Sequence, residues 1–312
     1  GFLHEPVPMK TVLLAPGERL DLLVDLRHHG NHKLILRNNA PIPYSPGADP
    51  MASNDPCREL LQFHVTGAKD SSDTQFDPST TAFTLPRRID PRSPGSLPFD
   101  RAEFPDIEAA LNHVPLGESD RFVMVNKKNI RVRTFKLEEH QRVMPTTKAG
   151  VEAQLNAMTP PVAMPLRLPV PALTSPTVLV NGQSWRSAPP LVIQQNDIEV
   201  WEFINVTPDT HPMHIHLVQF QVMSRIALDV QNDAARITDD LPEPKTATAY
   251  IGTPIVLDHY ERGWKDTVRC NPKQATRVIM KFDGFAGNYV YHCHILEHED
   301  MGMMYPITVE PK

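Results

Sequence analysis

Tyr289-Val290-Tyr291-His292-Cys293-His294-Ile295 reads as a β-strand, and the run continues as Leu296-Glu297-His298-Glu299-Asp300-Met301-Gly302-Met303. Successive strand side chains point to opposite faces. Tyr289, Tyr291, Cys293 and Ile295 therefore share one face, and Val290, His292 and His294 share the other. A metal on Cys293 would lie on one side of the strand, and metals on His292 and His294 on the other. Backbone and imidazole join the two sides by a short covalent route. His298 and Met303 follow on the loop. One thiol, three imidazoles and a thioether make a soft donor set that suits copper.

A mononuclear blue-copper site takes two histidines, a thiolate and a weak axial ligand. Cys293, His298 and Met303 supply three of the four. The second histidine is expected in His211-Pro212-Met213-His214-Ile215-His216. His214 and His216 alternate in strand register and can face one cluster. His211 lies beyond a proline and can aim elsewhere, so it is assigned to the mononuclear site. His214, His216, His292 and His294 are assigned to the cluster. Structural zinc sites gather four Cys and His ligands in a closed tetrahedron. This chain offers no CxxC pair, and a thioether is a poor zinc ligand. The isolated histidines His4, His64, His113, His140 and His259 read as ordinary surface or core residues, as do His28, His29 and His32 in a turn.

Outward from these motifs the chain reads as all-β. The 32 prolines among 312 residues disfavour long helices. Strand signals fall at residues 12–14, 20–26, 33–37 and 60–65, then at 131–137, 177–180, 198–206, 218–222, 276–282, 288–295 and 305–309. Short strands separated by turns predict a β-sandwich with Greek-key connections. Residues 66–119, rich in Ser, Thr, Asp and Pro, read as a connector with one short helix near residues 105–111. A second proline-rich stretch spans residues 160–176. The chain opens on Gly1-Phe2-Leu3-His4, without an initiator Met or a signal peptide, and reads as entered partway.

The formal net charge of −6 argues against a nucleic-acid partner. No apolar run approaches the roughly 20 residues of a membrane-spanning helix. Three cysteines make no disulfide framework. With Cys293 on a metal, Cys57 and Cys270 are left either paired or free.

The two histidine motifs resemble the third and fourth copper motifs of multicopper oxidases. The run from His292 to Met303 is especially similar to that of bacterial spore-coat laccases, with bilirubin oxidases and phenoxazinone synthases close to it. Gly263-Trp264-Lys265-Asp266-Thr267 also resembles a segment of that subgroup. The likeness covers residues 1–65 and 120–312. It implies cupredoxin-like domains: the end of a second domain over residues 1–65, a third over residues 120–312, and a first outside this chain. It implies one mononuclear (type 1) copper on His211, Cys293, His298 and axial Met303. It also implies a trinuclear cluster partly held by His214, His216, His292 and His294. Such a cluster needs eight histidines in four motifs, of which this chain carries two. The other half is expected from the N-terminal portion of the enzyme or a companion chain.

The function implied is one-electron oxidation of phenolic or aminophenolic donors, coupled to reduction of dioxygen to water. Glu299 is the local candidate for proton delivery, and Trp264 a candidate for the substrate approach. Oxidation of bilirubin, or of cuprous or other metal ions, is the alternative within the family. Met144, Met158 and Met164 are too scattered to favour metal ions. A simple electron carrier is the alternative of another class, but it has no use for four extra histidines.

Overall fold

Two β-sheets packed face to face carry the histidine motifs. The computed structural model describes residues 7–41, 57–68, 106–112, 120–143, 174–232 and 245–312, with Leu3, Tyr44, Pro46, Gly47, Phe104 and Leu116 besides. In chain order the elements are β1 (Lys33–Arg37), β2 (Glu59–His64), α1 (Ile107–Asn112), β3 (Arg121–Val125), β4 (Lys128–Val143), β5 (Thr174–Val180), β6 (Leu191–Gln194), β7 (Ile198–Asn205) and β8 (His211–Ile215). They continue with β9 (Phe220–Asn232), β10 (Lys245–Ile255), β11 (Trp264–Lys265), β12 (Thr267–Cys270), β13 (Gln274–Lys281), β14 (Gly287–Cys293), α2 (Leu296–Asp300) and β15 (Met304–Glu310).

One sheet runs β10-β9-β13-β7-β4-β3, with β11 added to β9 and β5 to β4; the other runs β12-β8-β14-β15-β6. The chain crosses between them at β7-β8-β9 and again at β12-β13-β14. This crossing is the expected sandwich, and it brings the two histidine-bearing strands together. β14 pairs antiparallel with β8, setting His292 opposite His214 and Cys293 opposite Met213.

The core follows from alternation. On β7, Trp201 and Phe203 face the interior between the sheets, while Val200 faces the outer layer. On β13, Val278 and Met280 face inward and Ile279 outward. Phe135 and Trp201 each approach Tyr291 of the opposite sheet at 5.1 Å between ring centroids, which clamps the sheets together. The outer face is covered by Phe104 and by Ile107 and Leu111 of α1. This covering buries charges, and each has a partner. Arg277 bonds Glu202 at 2.8 Å, and Tyr250 donates to the same carboxylate at 2.7 Å. Arg133 forks onto Glu199 at 2.7 and 2.9 Å. Removing one partner of such a pair costs about 3–5 kcal/mol, because the other charge is left buried and alone.

β1 and β2 form a separate antiparallel pair. Residues 12–14 and 20–26 are not strands, contrary to the hydrophobic pattern. A strand needs a ladder partner, and none of the described residues offers one there. Leu22, Leu23 and Val24 are accordingly 55, 53 and 58% exposed. β3, β6, β10, β11 and β12 were not anticipated. β10 is rich in Thr and Ala and contains Gly252 and Pro254, which mask its pattern. The short helix appears as α1. Most of residues 66–119 and 160–173 lie outside the described residues, as do His4, His113, Met144, Met158 and Met164. Pro176 falls in β5, which among the described strands pairs with β4 alone, an edge position that tolerates a missing donor. Cys57 is exposed and Cys270 is buried, and no disulfide joins the two. Burial pushes the Cys270 thiol up to about 12, which leaves it an inert packing group. Among the described residues no helix is long and apolar enough to cross a membrane.

Candidate metal centre

Two groups of donors flank the end of β14. In the first, Cys293 Sγ lies 3.6 Å from His211 Nδ1 and 3.7 Å from His298 Nδ1, and the two Nδ1 atoms are 3.2 Å apart. His211 and Cys293 are fully buried and His298 nearly so. His211 opens β8, Cys293 closes β14 and His298 sits on α2. Cys293 N–H donates to Met303 O at 3.0 Å, and Met303 N–H donates to His298 O at 2.9 Å. These bonds fold the 293–303 loop back on itself, and Met303 is fully buried in the same core.

His211 Nε2 meets Thr207 Oγ1 at 2.7 Å, and that hydroxyl donates to Asn205 Oδ1 at 2.8 Å. With Nε2–H engaged, Nδ1 is the bare donor that faces the sulfur. Burial lowers the His211 imidazole to about 3 and lowers His298 as well, so both stay neutral at ordinary pH. Burial alone pushes the Cys293 thiol well up. A cation between sulfur and two neutral imidazoles reverses that preference, because it stabilises the thiolate directly.

The second group is His214, His216 and His292, whose donor atoms all lie within 4.8 Å of one another. His216 Nε2 and His292 Nε2 face each other at 3.3 Å. The His294 ring lies 5.4 Å from His292 and 5.8 Å from His214, centroid to centroid. Two of the four outer nitrogens are tied off. His214 Nδ1–H donates to Asp266 O at 2.8 Å and approaches Thr267 Oγ1 at 3.0 Å. His292 Nδ1–H donates to Cys293 O at 3.0 Å, with Glu299 Oε2 at 3.2 Å. Burial lowers His214 to about 4. Neutral imidazoles with one nitrogen held and the other free are built for a metal.

The structure thus brings together His211, Cys293 and His298 on one side and His214, His216, His292 and His294 on the other. β8 ends at Ile215 and β14 at Cys293, so His216 and His294 reach their neighbours from turns rather than from strand register. Trp264 is elsewhere. It is 3% exposed and packs in the outer core with Met223 and Ile279, where it fills space and offers no open face to a substrate. Thr207, Asp266 and Thr267 support the donors; the last two close the Gly263–Thr267 segment, whereas Thr207 carries no motif of its own. A hydroxyl four residues before His211 is the sole sequence signal for the first of them.

The chemistry of these donors fits copper, and the comparisons agree. Residues 154–312 match the family model described as multicopper oxidase. The chain belongs to the multicopper oxidase family, and its sandwich is of the cupredoxin-like kind. It is 36% identical over 318 residues to a laccase of Haloferax volcanii, covering 99% of this chain and 38% of that protein. It is 26% identical over 309 residues to a laccase of Bacillus subtilis, covering 99% of this chain and 44% of the relative. It is 26% identical over 325 residues to a multicopper oxidase of Arabidopsis thaliana, with the same coverage on both sides. The chain therefore spans less than half the length of these relatives.

Proposed function

We propose that this chain is the electron-transfer half of a laccase-like oxidase, which oxidises phenolic or aminophenolic donors and reduces dioxygen to water. The observation that carries the reading is the placement of two donor groups on either side of one dipeptide, His292-Cys293. Copper bound at the two groups would supply one-electron redox chemistry on one side and four-electron reduction of dioxygen on the other. His211, Cys293, His298 and Met303 hold the mononuclear position; His214, His216, His292 and His294 hold part of a trinuclear position. The remaining cluster histidines come from polypeptide outside these residues, a reading supported by the greater length of the relatives. Cys293 links the two groups covalently, since its backbone carries His292 and His294.

Protons enter this scheme at Glu299. Its Oε2 lies 3.2 Å from His292 Nδ1, and its side chain is 23% exposed. It reaches both the cluster side and solvent, as a proton carrier must. A simple electron carrier is the weaker reading, since four further imidazoles, two of them with a tied outer nitrogen, have no task in it. The test is dioxygen uptake by the full-length protein with a panel of phenols, o-aminophenols, bilirubin and cuprous ion, alongside copper content per chain. Uptake driven by an aromatic donor, with about four coppers per chain, is expected for this donor set. A single copper and no uptake would leave the carrier.

A further inference from the structure

The turn at residues 15–19 is far from the copper motifs in sequence, yet it lies against the histidine quartet. Gly17 has φ +79°, and a Cβ built on it would stand 2.4 Å from His294 Cδ2 and 2.7 Å from Cγ. No other side chain fits there, and the backbone conformation itself favours glycine. The flanking residues fix this approach. Glu18 is buried with its carboxylate 2.6 Å from Lys265 Nζ and 3.7 Å from Arg269 Nε. Ala15 N–H donates to the same carboxylate at 2.9 Å. Arg19 forks onto Asp266 at 2.7 and 2.6 Å and donates to Gly17 O at 2.7 Å. Thr267 Oγ1–H reaches Gly17 O at 3.3 Å.

Residues 265–267 are thus used twice. Their side chains grip the turn, while Asp266 O and Thr267 Oγ1 hold His214 Nδ1. Charge makes the grip specific. Lys265, Arg225 and Arg269 are buried cations, balanced by Glu18, Glu261 and the exposed Asp258. Without Glu18 the set carries one uncompensated buried cation, so the pocket selects a carboxylate at that position.

We propose that residues 15–19 form a latch that positions the cluster histidines: Gly17 sets the plane of His294, and the Glu18 and Arg19 ion pairs set the 265–267 segment that orients His214. Its bearing on copper rests on the oxidase reading above. Gly17, Glu18 and Arg19 are positioning residues that touch no reacting atom.

The test uses the full-length protein carrying Glu18→Gln, Arg19→Ala or Gly17→Ala, with Arg37→Ala at the exposed Arg37–Glu59 pair as a control. In the metal-free protein, diethyl pyrocarbonate labelling of His294 and His214 is followed by mass spectrometry against His64. Labelling roughly tenfold faster in Glu18→Gln is expected, and a smaller rise in the solvent-exposed Arg19→Ala. In the copper-loaded protein, Gly17→Ala should weaken or distort the electron paramagnetic resonance signal of the cluster copper while the blue absorption of the thiolate site persists. Unchanged labelling in both ion-pair variants, or an unchanged cluster signal in Gly17→Ala, overturns the latch. A wild-type protein with neither copper signal overturns the oxidase reading instead, and the labelling still decides the latch.

Discussion

The two donor groups beside β14 differ in closure. The thiolate group is sealed by this chain alone: His211, Cys293 and Met303 are fully buried, and His298 is 8% exposed. The quartet is more open. His214 and His216 are only half-buried, and the nearest cover beyond the sandwich is a loop that reaches back from residues 15–19. A site that must hold one ion tightly and exchange only electrons gains from complete enclosure. A site that must admit dioxygen and protons cannot be built that way. On the proposed reading, the difference teaches that one chain segment can complete an electron-accepting site while leaving an oxygen-reducing site to be shared with other polypeptide.

The largest expected effect separates the two groups outright. Cys293→Ser removes the sulfur, the end of the covalent route that faces the mononuclear position. Dioxygen uptake with aromatic donors should fall by about three orders of magnitude or more, with loss of the blue absorption. The cluster resonance should survive, because the quartet keeps its ligands. Loss of both signals would show that the two groups do not assemble independently.

Stability against pH offers a second contrast. In the metal-free protein His211 titrates at about 3, against roughly 6.5 in an unfolded chain. Between these values the unfolded state binds a proton that the folded state refuses, so stability rises with pH and is lost as pH falls. The loss begins near pH 6.5 and reaches up to about 1.4 kcal/mol per pH unit from this one residue. His214, lowered to about 4 but partly solvated, adds in the same direction. Thermal melts of the metal-free protein from pH 7 to 4.5 should fall steadily, and His211→Asn should flatten the slope more than His214→Asn. Equal slopes in all three proteins would erase the distinction between closed and open groups.

Most of this arrangement was legible from residue types and spacing. The two-period alternation around Cys293 placed ligands on two faces, and the sandwich followed from short strands separated by turns. What escaped was set by tertiary partners. The segment at residues 20–26 has a strand's hydrophobic pattern, but pairing decides strands, and no ladder is present for it among the described residues. His216 and His294 reach the quartet from turns just past their strands, so register alone did not fix them. Trp264 sits two residues from Asp266, which helps to orient His214, yet its indole points into the outer core. The Gly17 approach depends on a contact spanning most of the chain, and nothing local in Pro16-Gly17-Glu18-Arg19 announces it.

Glu299→Gln should act on the open group alone. The amide keeps the shape near His292 but cannot carry a proton, so turnover should fall by about two orders of magnitude. The blue absorption and its reduction by donor under anaerobic conditions should be unchanged. Slowed anaerobic reduction would mean that Glu299 serves the closed group as well.

The smallest effect tests the closed group from behind. Thr207 neither binds the metal nor faces solvent, but its hydroxyl holds His211 Nε2 at 2.7 Å. Thr207→Val is close in volume and removes that acceptor together with the hydroxyl's bonds to Asn205 and Asp209. The imidazole then loses its fixed tautomer and some basicity, so copper affinity at the thiolate site should drop about tenfold. The reduction potential and the blue band should shift, while the cluster resonance stays as in the parent. The cost is small because Cys293 and His298 still enclose the position, and the loop bonds from Met303 to His298 and Cys293 do not involve Thr207. An equal change at both groups would mean that β8 transmits the disturbance from His211 to His214, and that the two sites are less separable than their burial implies.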